Sequence, residues 1–305
     1  MKIENFTLQS NFDNLPLHAT VYEPSGEKKG ILQILHGMCE YKERYKEFME
    51  FFAQNGYVVA CHDQRGHGDS VLKEEDRGYF YETSGEAIVE DAAQVTRVLK
   101  EKYPNLPVIL FGHSMGSMVA RCYLRGYGNQ IDKLIVSGSP SKNPLAGVAI
   151  ALTKTIAFFR GKRYRSKFLS YVSTGKGNAK FKGEQKGAWL SKNRENIEEF
   201  YTNPKGRFRF TCNGFENLFR LMKQTYNKKG LAPANPALPI HFVSGGDDPV
   251  LVNEVEWLKS IEFLREAGFE NVSGKLYQGM RHEIHNEPKE ERETVLRELL
   301  AFIEG

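Results

Sequence analysis

Short apolar runs alternate with amphipathic stretches from residue 30 onward. Residues 31–35, 58–61 and 108–111 are mainly apolar and four or five residues long, which predicts buried strands. Before the third run, apolar side chains recur at helical spacing from Ser84 until Pro104 stops the pattern. The chain therefore begins as a succession of strand and helix.

The same alternation frames the rest of the chain. Helices are predicted at 115–127 and 253–267, strands at 134–137, 239–244 and 274–277, and a closing helix with Pro288 near its first turn. Two early segments, 6–9 and 17–22, alternate polar and apolar residues and predict a hairpin at the sheet edge. Repeated strand and helix in this order is typical of a mostly parallel sheet with helices on both faces. We therefore predict an α/β fold.

The pattern breaks in the middle of the chain. No comparable β-type run occurs there, but apolar stretches of helical spacing do, such as LAGVAIAL and FENLFRLMKQTY. We expect a core of residues 1–139 and 239–305 with a helical cap, or lid, inserted at 140–238. The apolar stretch 145–159 either lines a channel for an apolar ligand or packs as a buried helix between lid and core.

Composition narrows the class of protein. The chain has 305 residues, 40% hydrophobic and 26% charged, which is ordinary for a globular protein. The N-terminus has no basic patch followed by an apolar core, and no apolar run reaches the roughly 20 residues of a membrane-spanning helix. The cysteines are scattered, so we expect reduced thiols and no zinc site. We expect a cytoplasmic protein that contacts membranes at most peripherally.

The net charge of +4 is distributed unevenly. Between Ser139 and Leu238 there are 20 lysines and arginines against five glutamates and no aspartate, so the remainder of the chain is acidic. A basic segment in an acidic protein favours an anionic partner, which is a phosphate-bearing ligand, a charged lipid surface or nucleic acid. A solvated lysine-rich face explains the same charges equally well. No recognised nucleic-acid motif accompanies them, so no nucleic-acid partner is expected.

A serine lies between two glycines where a predicted strand meets a predicted helix. The sequence Gly112-His113-Ser114-Met115-Gly116 has the G-x-S-x-G pattern of a nucleophile elbow. In such a turn, side chains at the glycine positions would collide with the backbone, and the serine hydroxyl projects into a site beyond the end of the strand. The pattern alone also fits a serine that caps a helix after a glycine turn. The flanking strand and helix favour the nucleophile.

A nucleophilic serine requires a base and an acid that orients the base. In this type of fold the acid and then the histidine follow the serine along the chain, each after a strand. The loop after the next strand of the core contains Asp247 and Asp248, and the loop after the last one contains His282 and, further on, His285. We favour Asp248 because a proline fixes the chain directly after it, and His282 because it is nearest the end of its strand.

Two backbone N–H groups must stabilise the carbonyl oxygen that becomes negative when a serine attacks a carbonyl group. One is expected from Met115, the residue after the serine, at the N-terminus of the predicted helix. The other is expected from Met38, in the loop after the strand at 31–35. No metal and no organic cofactor is expected, since these groups suffice for the chemistry.

Five segments, HGMCEYKERY, DQRGHGDS, GHSMGS, SGGDDPV and RHEIHNE, occur in the order and spacing of a known family. The chain resembles the α/β-hydrolase superfamily and, within it, the monoacylglycerol lipase and lysophospholipase-like group with a serine aminopeptidase S33 type domain. The resemblance implies an eight-stranded, mostly parallel sheet with an inserted helical lid. It also implies Ser114 as nucleophile, Asp248 as orienting acid, His282 as base, and Met38 and Met115 as oxyanion donors. The family commonly has a small residue at the position where this chain has Met38. The larger side chain is expected to narrow the entrance for the acyl chain.

The expected function is hydrolysis of single-chain lipid esters, lysophospholipid or monoacylglycerol, through an acyl-enzyme. A phosphate-bearing lipid, or a neutral lipid at an anionic membrane that contacts the basic lid, agrees with the charge. The alternatives are a short-chain carboxylesterase, an S33-type aminopeptidase, and a catalytically silent ligand receptor on the same fold. An aminopeptidase needs carboxylates in the lid to hold the ammonium group of its substrate, and this lid is basic. The intact triad argues against a silent receptor.

Overall fold

A central sheet organises the chain, of which the computed structural model describes residues 1–175 and 177–305. Its strands are β1 (Lys2–Gln9), β2 (Pro16–Glu23), β3 (Gly30–Leu35), β4 (Tyr57–His62), β5 (Val108–His113), β6 (Lys133–Ser137), β7 (Ile240–Gly245) and β8 (Val272–Tyr277). Within these described residues the eight strands pair in the order β1-β2-β4-β3-β5-β6-β7-β8. β1, β2 and β4 pair antiparallel, and the remaining neighbours pair parallel. The predicted mostly parallel sheet and its edge hairpin are confirmed.

Helices cover both faces of the sheet. They are α1 (Lys46–Gln54), α2 (Ala87–Lys102), α3 (Met115–Tyr127), α4 (Ala146–Arg160), α5 (Lys167–Ser170), α6 (Arg194–Thr202), α7 (Cys212–Thr225), α8 (Glu254–Arg265) and α9 (Lys289–Glu304). Successive side chains of a strand point to opposite faces. Accordingly, Ile31 packs in one apolar core with α2, α3 and α8, whereas its neighbour Leu32 packs in a second core with α1 and α9. The parallel strands are buried on both sides, which explains their nearly continuous apolar runs.

The start of α2 differs from the prediction. The helix begins at Ala87, three residues after Ser84. Gly85 has a φ of +77°, which an α-helix does not allow, and its N–H donates to the Asn217 side chain over 2.9 Å. The carboxylate of Glu82 accepts hydrogen bonds from the N–H groups of Ser84 and Gly85. These side-chain contacts hold the segment in a turn, so the apolar spacing alone places the helix start too early.

The segment 140–238 lies between β6 and β7. The described part of this segment, 140–175 and 177–238, contains α4 to α7 and no strand. α7 buries Phe215 and Leu221 in the same apolar core as α3, and the Cys122 thiol of α3 lies 3.9 Å from the Leu221 carbonyl oxygen. The segment is therefore anchored on the core beside the elbow that precedes α3.

The apolar helix α4 is only partly buried. Ile150 and Ile156 pack against the apolar core that also contains α7, but the prediction of a fully buried helix between lid and core is wrong. Within the helix only Ala146 and Thr153 are buried, whereas Phe158 and Phe159 are 84% and 75% exposed. α4 packs one side on α7 and turns the other side outward. Like every other helix of the described chain, it lacks the length and apolar content to cross a bilayer.

Candidate active site

Ser114 occupies a strained turn between β5 and α3. Its φ is +52°, in the left-handed region that non-glycine residues rarely adopt, and its N–H donates to the Ser137 carbonyl over 2.9 Å. A Cβ atom at Gly112 would lie 2.5 Å from the Gly116 carbonyl oxygen, and one at Gly116 would collide with the Leu35 carbonyl. Only glycine fits at both positions, as the G-x-S-x-G pattern predicts.

His282 and Asp248 meet at the same end of the sheet. His282 Nδ1 lies 2.8 Å from Asp248 Oδ2, and both side chains are buried. Asp248 is held in place because its Oδ2 accepts a hydrogen bond from the Ser244 hydroxyl over 3.1 Å and its Oδ1 accepts one from the Val250 N–H over 2.8 Å. A carboxylate facing Nδ1 keeps the proton of a neutral imidazole there and leaves Nε2 as an acceptor.

The competing acid and histidine have other surroundings. Asp247 Oδ1 pairs with Lys180 Nζ over 2.9 Å at the surface, where both side chains are 45% exposed. His285 is buried and stacks on the Tyr45 ring, with ring centroids 5.0 Å apart. Of the four residues that the sequence left in competition, the structure brings Asp248 and His282 together.

Ser114 and His282 line one large cavity of about 1580 Å³. Small-molecule sites usually measure about 300–1,000 Å³, so this cavity accommodates a longer ligand. Part of its wall comes from the 140–238 segment, where the Trp189 ring lies 5.1 Å from the His282 ring and the Trp189 carbonyl accepts the His282 N–H over 3.3 Å. Among the described lining residues none comes from 145–159, so the prediction that this stretch lines an acyl channel is wrong as well.

Both predicted oxyanion donors lie beside Ser114. Met115 is the first residue of α3, so its N–H has no acceptor within the helix. Met38 follows Gly37, where a Cβ atom would lie 3.1 Å from Ser114 Cβ. Both methionines line the cavity.

A buried glutamate connects these parts, and sequence reasoning missed it. Glu40 Oε2 accepts hydrogen bonds from the Gly37 N–H over 3.1 Å and from the Tyr45 hydroxyl over 2.6 Å. Glu40 Oε1 lies 2.9 Å from His113 Nδ1, and His113 Nε2 lies 3.2 Å from the His282 carbonyl oxygen. The segment HGMCEYKERY contains Glu40, but no feature of the sequence indicates that this acid is buried.

Opposite charges hold Glu40 and His113 together. Burial by itself would raise the pKa of Glu40, but the charge and hydrogen bond of His113, with help from Arg44, keep that pKa well below its usual value. Burial would likewise lower the pKa of His113, and Glu40 outweighs this effect and raises the pKa. Because both nitrogens of His113 face acceptors, the charged imidazolium suits the position.

Glu40, His113 and His285 approach one another closely enough to share a metal ion, since their potential ligand atoms all lie within 4.8 Å. Protein groups already bind both oxygens of Glu40 and both nitrogens of His113. An imidazolium has no lone pair to offer a metal. The cluster is therefore suited to hydrogen bonding within the protein.

Comparison with known proteins places this geometry in a family. Residues 26–289 match the family model described as serine aminopeptidase, S33. The chain belongs to this family. A monoacylglycerol lipase of Mycolicibacterium smegmatis is 25% identical over 283 residues, covering 93% of this chain and 91% of the relative. A second relative is the phospholipase YtpA of Bacillus subtilis. It is 26% identical over 275 residues, covering 89% of this chain and 94% of the relative.

Solved structures agree with the family assignment. A thermostable carboxyl esterase from Bacillus coagulans, crystallised with glycerol, superposes on this S33 chain with a TM-score of 0.89 and 27% identity, covering 100% of this chain and 99% of the other. A monoglyceride lipase of Saccharomyces cerevisiae superposes with a TM-score of 0.74 at 19% identity, covering 100% and 96%. The α/β-hydrolase fold predicted from the sequence is confirmed.

Proposed function

We propose that Ser114, His282 and Asp248 form the catalytic triad of a serine hydrolase that cleaves the ester bond of single-chain lipids. The observation that carries the proposal is the 2.8 Å contact between His282 Nδ1 and Asp248 Oδ2, beside a strained Ser114 on the same cavity. Relatives named as a monoacylglycerol lipase and a phospholipase support lipid esters as substrates. The chain is a lipid-ester hydrolase.

Acylation follows from the roles of these side chains. His282 Nε2 takes the proton from the Ser114 hydroxyl while the serine oxygen bonds to the carbonyl carbon of the ester. The carbonyl oxygen becomes negative and accepts hydrogen bonds from the N–H groups of Met38 and Met115. Asp248 stabilises the imidazolium. When the C–O bond to the alcohol breaks, His282 returns its proton to the leaving oxygen and the acyl group remains on Ser114.

Deacylation repeats these steps with water. His282 Nε2 removes a proton from the water as its oxygen attacks the acyl-enzyme, and the same N–H groups stabilise the second oxyanion. Breaking the bond to Ser114 returns the proton to the serine oxygen and releases the fatty acid. Every atom of the reaction is supplied by ester, water and protein, so no cofactor takes part.

The 140–238 segment acts as a lid over this site. Trp189 packs against the His282 ring and its carbonyl oxygen accepts a hydrogen bond from the His282 N–H, which ties the segment to the base. Phe200 and Phe219 of the same segment line the cavity, with Met222 beside them. These apolar side chains suit an acyl chain, whose burial contributes about 0.8 kcal/mol per methylene group.

The outer surface of the lid contacts anionic membranes. Helix α4 and the residue before it expose five large apolar side chains: Leu145, Val148, Leu152, Phe158 and Phe159. The residues that follow include the cations Arg160, Lys162 and Lys167. An apolar helix face beside basic side chains is typical of a protein surface that lies on negatively charged lipid.

Hydrolysis of peptides is disfavoured by the charges of the cavity. An aminopeptidase must hold an ammonium group with an unpaired carboxylate, whereas the lining carboxylates among the described residues, Glu40, Glu256 and Glu283, already pair with cations. A short-chain esterase would leave most of the cavity volume unused. Lipid esters therefore fit the site better than either.

A substrate panel tests the proposal. We expect wild-type protein to hydrolyse monooleoylglycerol or its lysophospholipid counterpart with a kcat/KM at least about tenfold above that for p-nitrophenyl acetate, since acyl-chain burial favours the longer ester. The Ser114→Ala variant is the control and should lose all of this activity. Cleavage confined to aminoacyl amides would support the peptidase instead. Binding of the lipids without hydrolysis would support a silent receptor.

A further inference from the structure

The cavity that contains Ser114 is lined by unpaired positive charges. Its cationic side chains, apart from histidine, are Lys142, Arg165, Lys167, Lys186, Arg207 and Arg209. In the described part of the chain none of the six forms an ion pair with a carboxylate. All six belong to the 140–238 segment, so this segment supplies the positive charge of the cavity wall.

The acidic side chains of the same wall leave this charge uncompensated. Each of the lining carboxylates already has a cationic partner at 2.6–2.9 Å; the pairs are Glu40 with His113, Glu256 with Lys259 and Glu283 with Arg44. The described wall therefore carries a surplus of positive charge. A cavity whose wall carries a surplus of one charge attracts and concentrates ligands of the opposite charge.

Arg209 lines the cavity beside an aromatic cluster that fixes its position in the chain. Its neighbours Phe208 and Phe210 both pack on the His67 ring, with centroid distances of 5.5 and 5.3 Å, and their own rings stack on each other. The Arg209 side chain lies between them in sequence and lines the cavity. The Cys39 thiol, next to the oxyanion residue Met38, lies 3.5 Å from the Phe208 carbonyl oxygen. Arg209 is therefore adjacent to the loop that supplies an oxyanion donor.

The Arg165 side chain contacts the main chain of Arg209, and both residues line the cavity. Arg165 donates to the main-chain carbonyl of Arg209 and, over 2.6 Å, to that of Glu75. Burial lowers the pKa of Arg165, and the charge of Arg209 contributes to the lowering. Arg209 Nε is buried without a hydrogen-bond partner among the described groups. A buried cationic donor without an acceptor, such as Arg209 Nε, is unfavourable, and an anion bound to the Arg209 guanidinium would stabilise its charge.

We propose that Arg165 and Arg209 form a subsite for the phosphate group of an anionic single-chain lipid whose ester carbonyl lies at Ser114. Two guanidinium groups suit a phosphate because each presents paired N–H donors to its oxygens. The proposal rests on the proposed function, since the subsite selects among the lipid esters that Ser114 cleaves. It assigns the favoured substrate to the phosphate-bearing lysophospholipids rather than to neutral monoacylglycerol.

Two lipids with the same acyl chain test the subsite. We measure kcat/KM for monomeric oleoyl lysophosphatidic acid and for monooleoylglycerol in wild type, Arg209→Gln and Arg165→Gln. Wild type should favour the phosphate lipid. Each variant should lose about tenfold or more on the phosphate lipid and stay within about twofold on monooleoylglycerol, because only the first substrate carries the charge. The matched control is Arg194→Gln, an exposed lid arginine outside this cavity, which should change neither value.

The outcomes separate the subsite from the enzyme as a whole. Equal losses of kcat/KM on the phosphate lipid in Arg209→Gln and Arg194→Gln would overturn the subsite. A wild type without preference for the phosphate lipid would overturn it as well. In both cases, hydrolysis of both lipids by wild type would leave the proposed function intact. Failure of wild type to hydrolyse either lipid would instead contradict the proposed function. Fluorophosphonate labelling of Ser114 identifies the variants that fold. If Arg209→Gln is not labelled, and so has not folded, the test is decided by Arg165→Gln.

Glycerol 3-phosphate separates a lipid headgroup from a free phosphate. It carries the same anion without an acyl chain, so we expect little inhibition of monooleoylglycerol hydrolysis at concentrations near the KM of lysophosphatidic acid. Strong inhibition at those concentrations would overturn the lipid subsite in favour of a soluble phosphate ligand.

Discussion

Glu40 and His113 form a buried ion pair in which Glu40 Oε1 lies 2.9 Å from His113 Nδ1. The second oxygen of Glu40 holds the Gly37 N–H, and the second nitrogen of His113 faces the His282 carbonyl. One charge pair therefore connects the Gly37 loop, the residue before Ser114 and the loop that contains His282. Its partners make Glu40 a positioning residue.

Replacing Glu40 by glutamine keeps its shape and removes its charge. We expect Glu40→Gln to lower kcat by about tenfold or more with little change in KM, because hydrogen bonds to charged groups contribute about 1.5–3 kcal/mol. The pKa of His113, measured by NMR titration, should fall because the carboxylate that raises it is gone. Glu256→Gln is the control, since Glu256 lines the same cavity but pairs only with Lys259. An unchanged His113 pKa would disprove the positioning role.

The two neighbouring aspartates should differ sharply on substitution. Asp248→Asn should lower kcat by roughly 10³–10⁴-fold, the scale seen when the orienting acid of a serine triad is neutralised. Asp247→Asn should stay within about twofold, because Asp247 pairs only with Lys180 at the surface. Steady-state rates on one lipid ester make the comparison. Equal losses in the two variants would show that Asp248 has no special role.

Two glycines of α3 should respond in opposite directions to alanine. A Cβ at Gly116 would collide with the Leu35 carbonyl, so Gly116→Ala should lower both the free energy of unfolding and the rate of Ser114 labelling. Gly126 has nothing within 4 Å of the added atom, so Gly126→Ala should raise the free energy of unfolding by roughly 0.5–1 kcal/mol. Urea unfolding measures both changes. A stabilised Gly116→Ala would contradict the elbow geometry.

Buried histidines should make the protein sensitive to acid. Burial lowers the pKa of His62 and of His67 to about 3, so between about pH 3 and 6.5 the unfolded chain binds protons that the folded chain does not. Stability therefore falls as the pH falls through this window, by up to about 1.4 kcal/mol per pH unit for each histidine. His113 opposes the trend, because its raised pKa stabilises the fold at low pH and this contribution is lost as the pH rises.

His62→Leu isolates this effect, since neither ring nitrogen of His62 has a partner among the described groups. Urea unfolding between about pH 5 and pH 7 should give a shallower pH dependence in the variant, by up to about 1.4 kcal/mol per unit. Identical slopes in wild type and His62→Leu would exclude His62 as a source of acid sensitivity.

The exposed face of α4 should control binding to anionic vesicles. We expect wild type to co-sediment with vesicles that contain phosphatidylglycerol and to co-sediment less with vesicles of pure phosphatidylcholine. The double variant Phe158→Ser and Phe159→Ser should bind the phosphatidylglycerol vesicles about tenfold or more weakly. Leu72→Ser, which removes an exposed apolar side chain outside the lid, serves as the control. Vesicle binding that survives the double substitution would place the contact elsewhere.

The parts of the molecule that the sequence predicts are those governed by local rules. Gly112, Ser114 and Gly116 are recognisable because the turn requires glycine on both sides of the serine, and the apolar runs mark strands that are buried on both faces. The acid was ambiguous because Asp247 and Asp248 are adjacent, and only the tertiary contact with His282 separates them.

The parts that the sequence does not predict depend on distant contacts. Glu40 is 73 residues from His113, and the burial that makes the pair important comes from the packed sheet. α4 is as apolar as a core helix, yet its outward face cannot be recognised without knowing that α7 covers only one side. The basic composition of the 140–238 segment was evident, but which of its cations line the cavity appears only in the structure.

The central claim is that His282 and Asp248 activate Ser114, and covalent labelling tests it most directly. After treatment with a fluorophosphonate, mass spectrometry of the digested protein should find a single phosphonylated residue, Ser114, with labelling slowed at least about a hundredfold in His282→Ala. A label on another residue, or an equal rate in wild type and His282→Ala, would contradict the account.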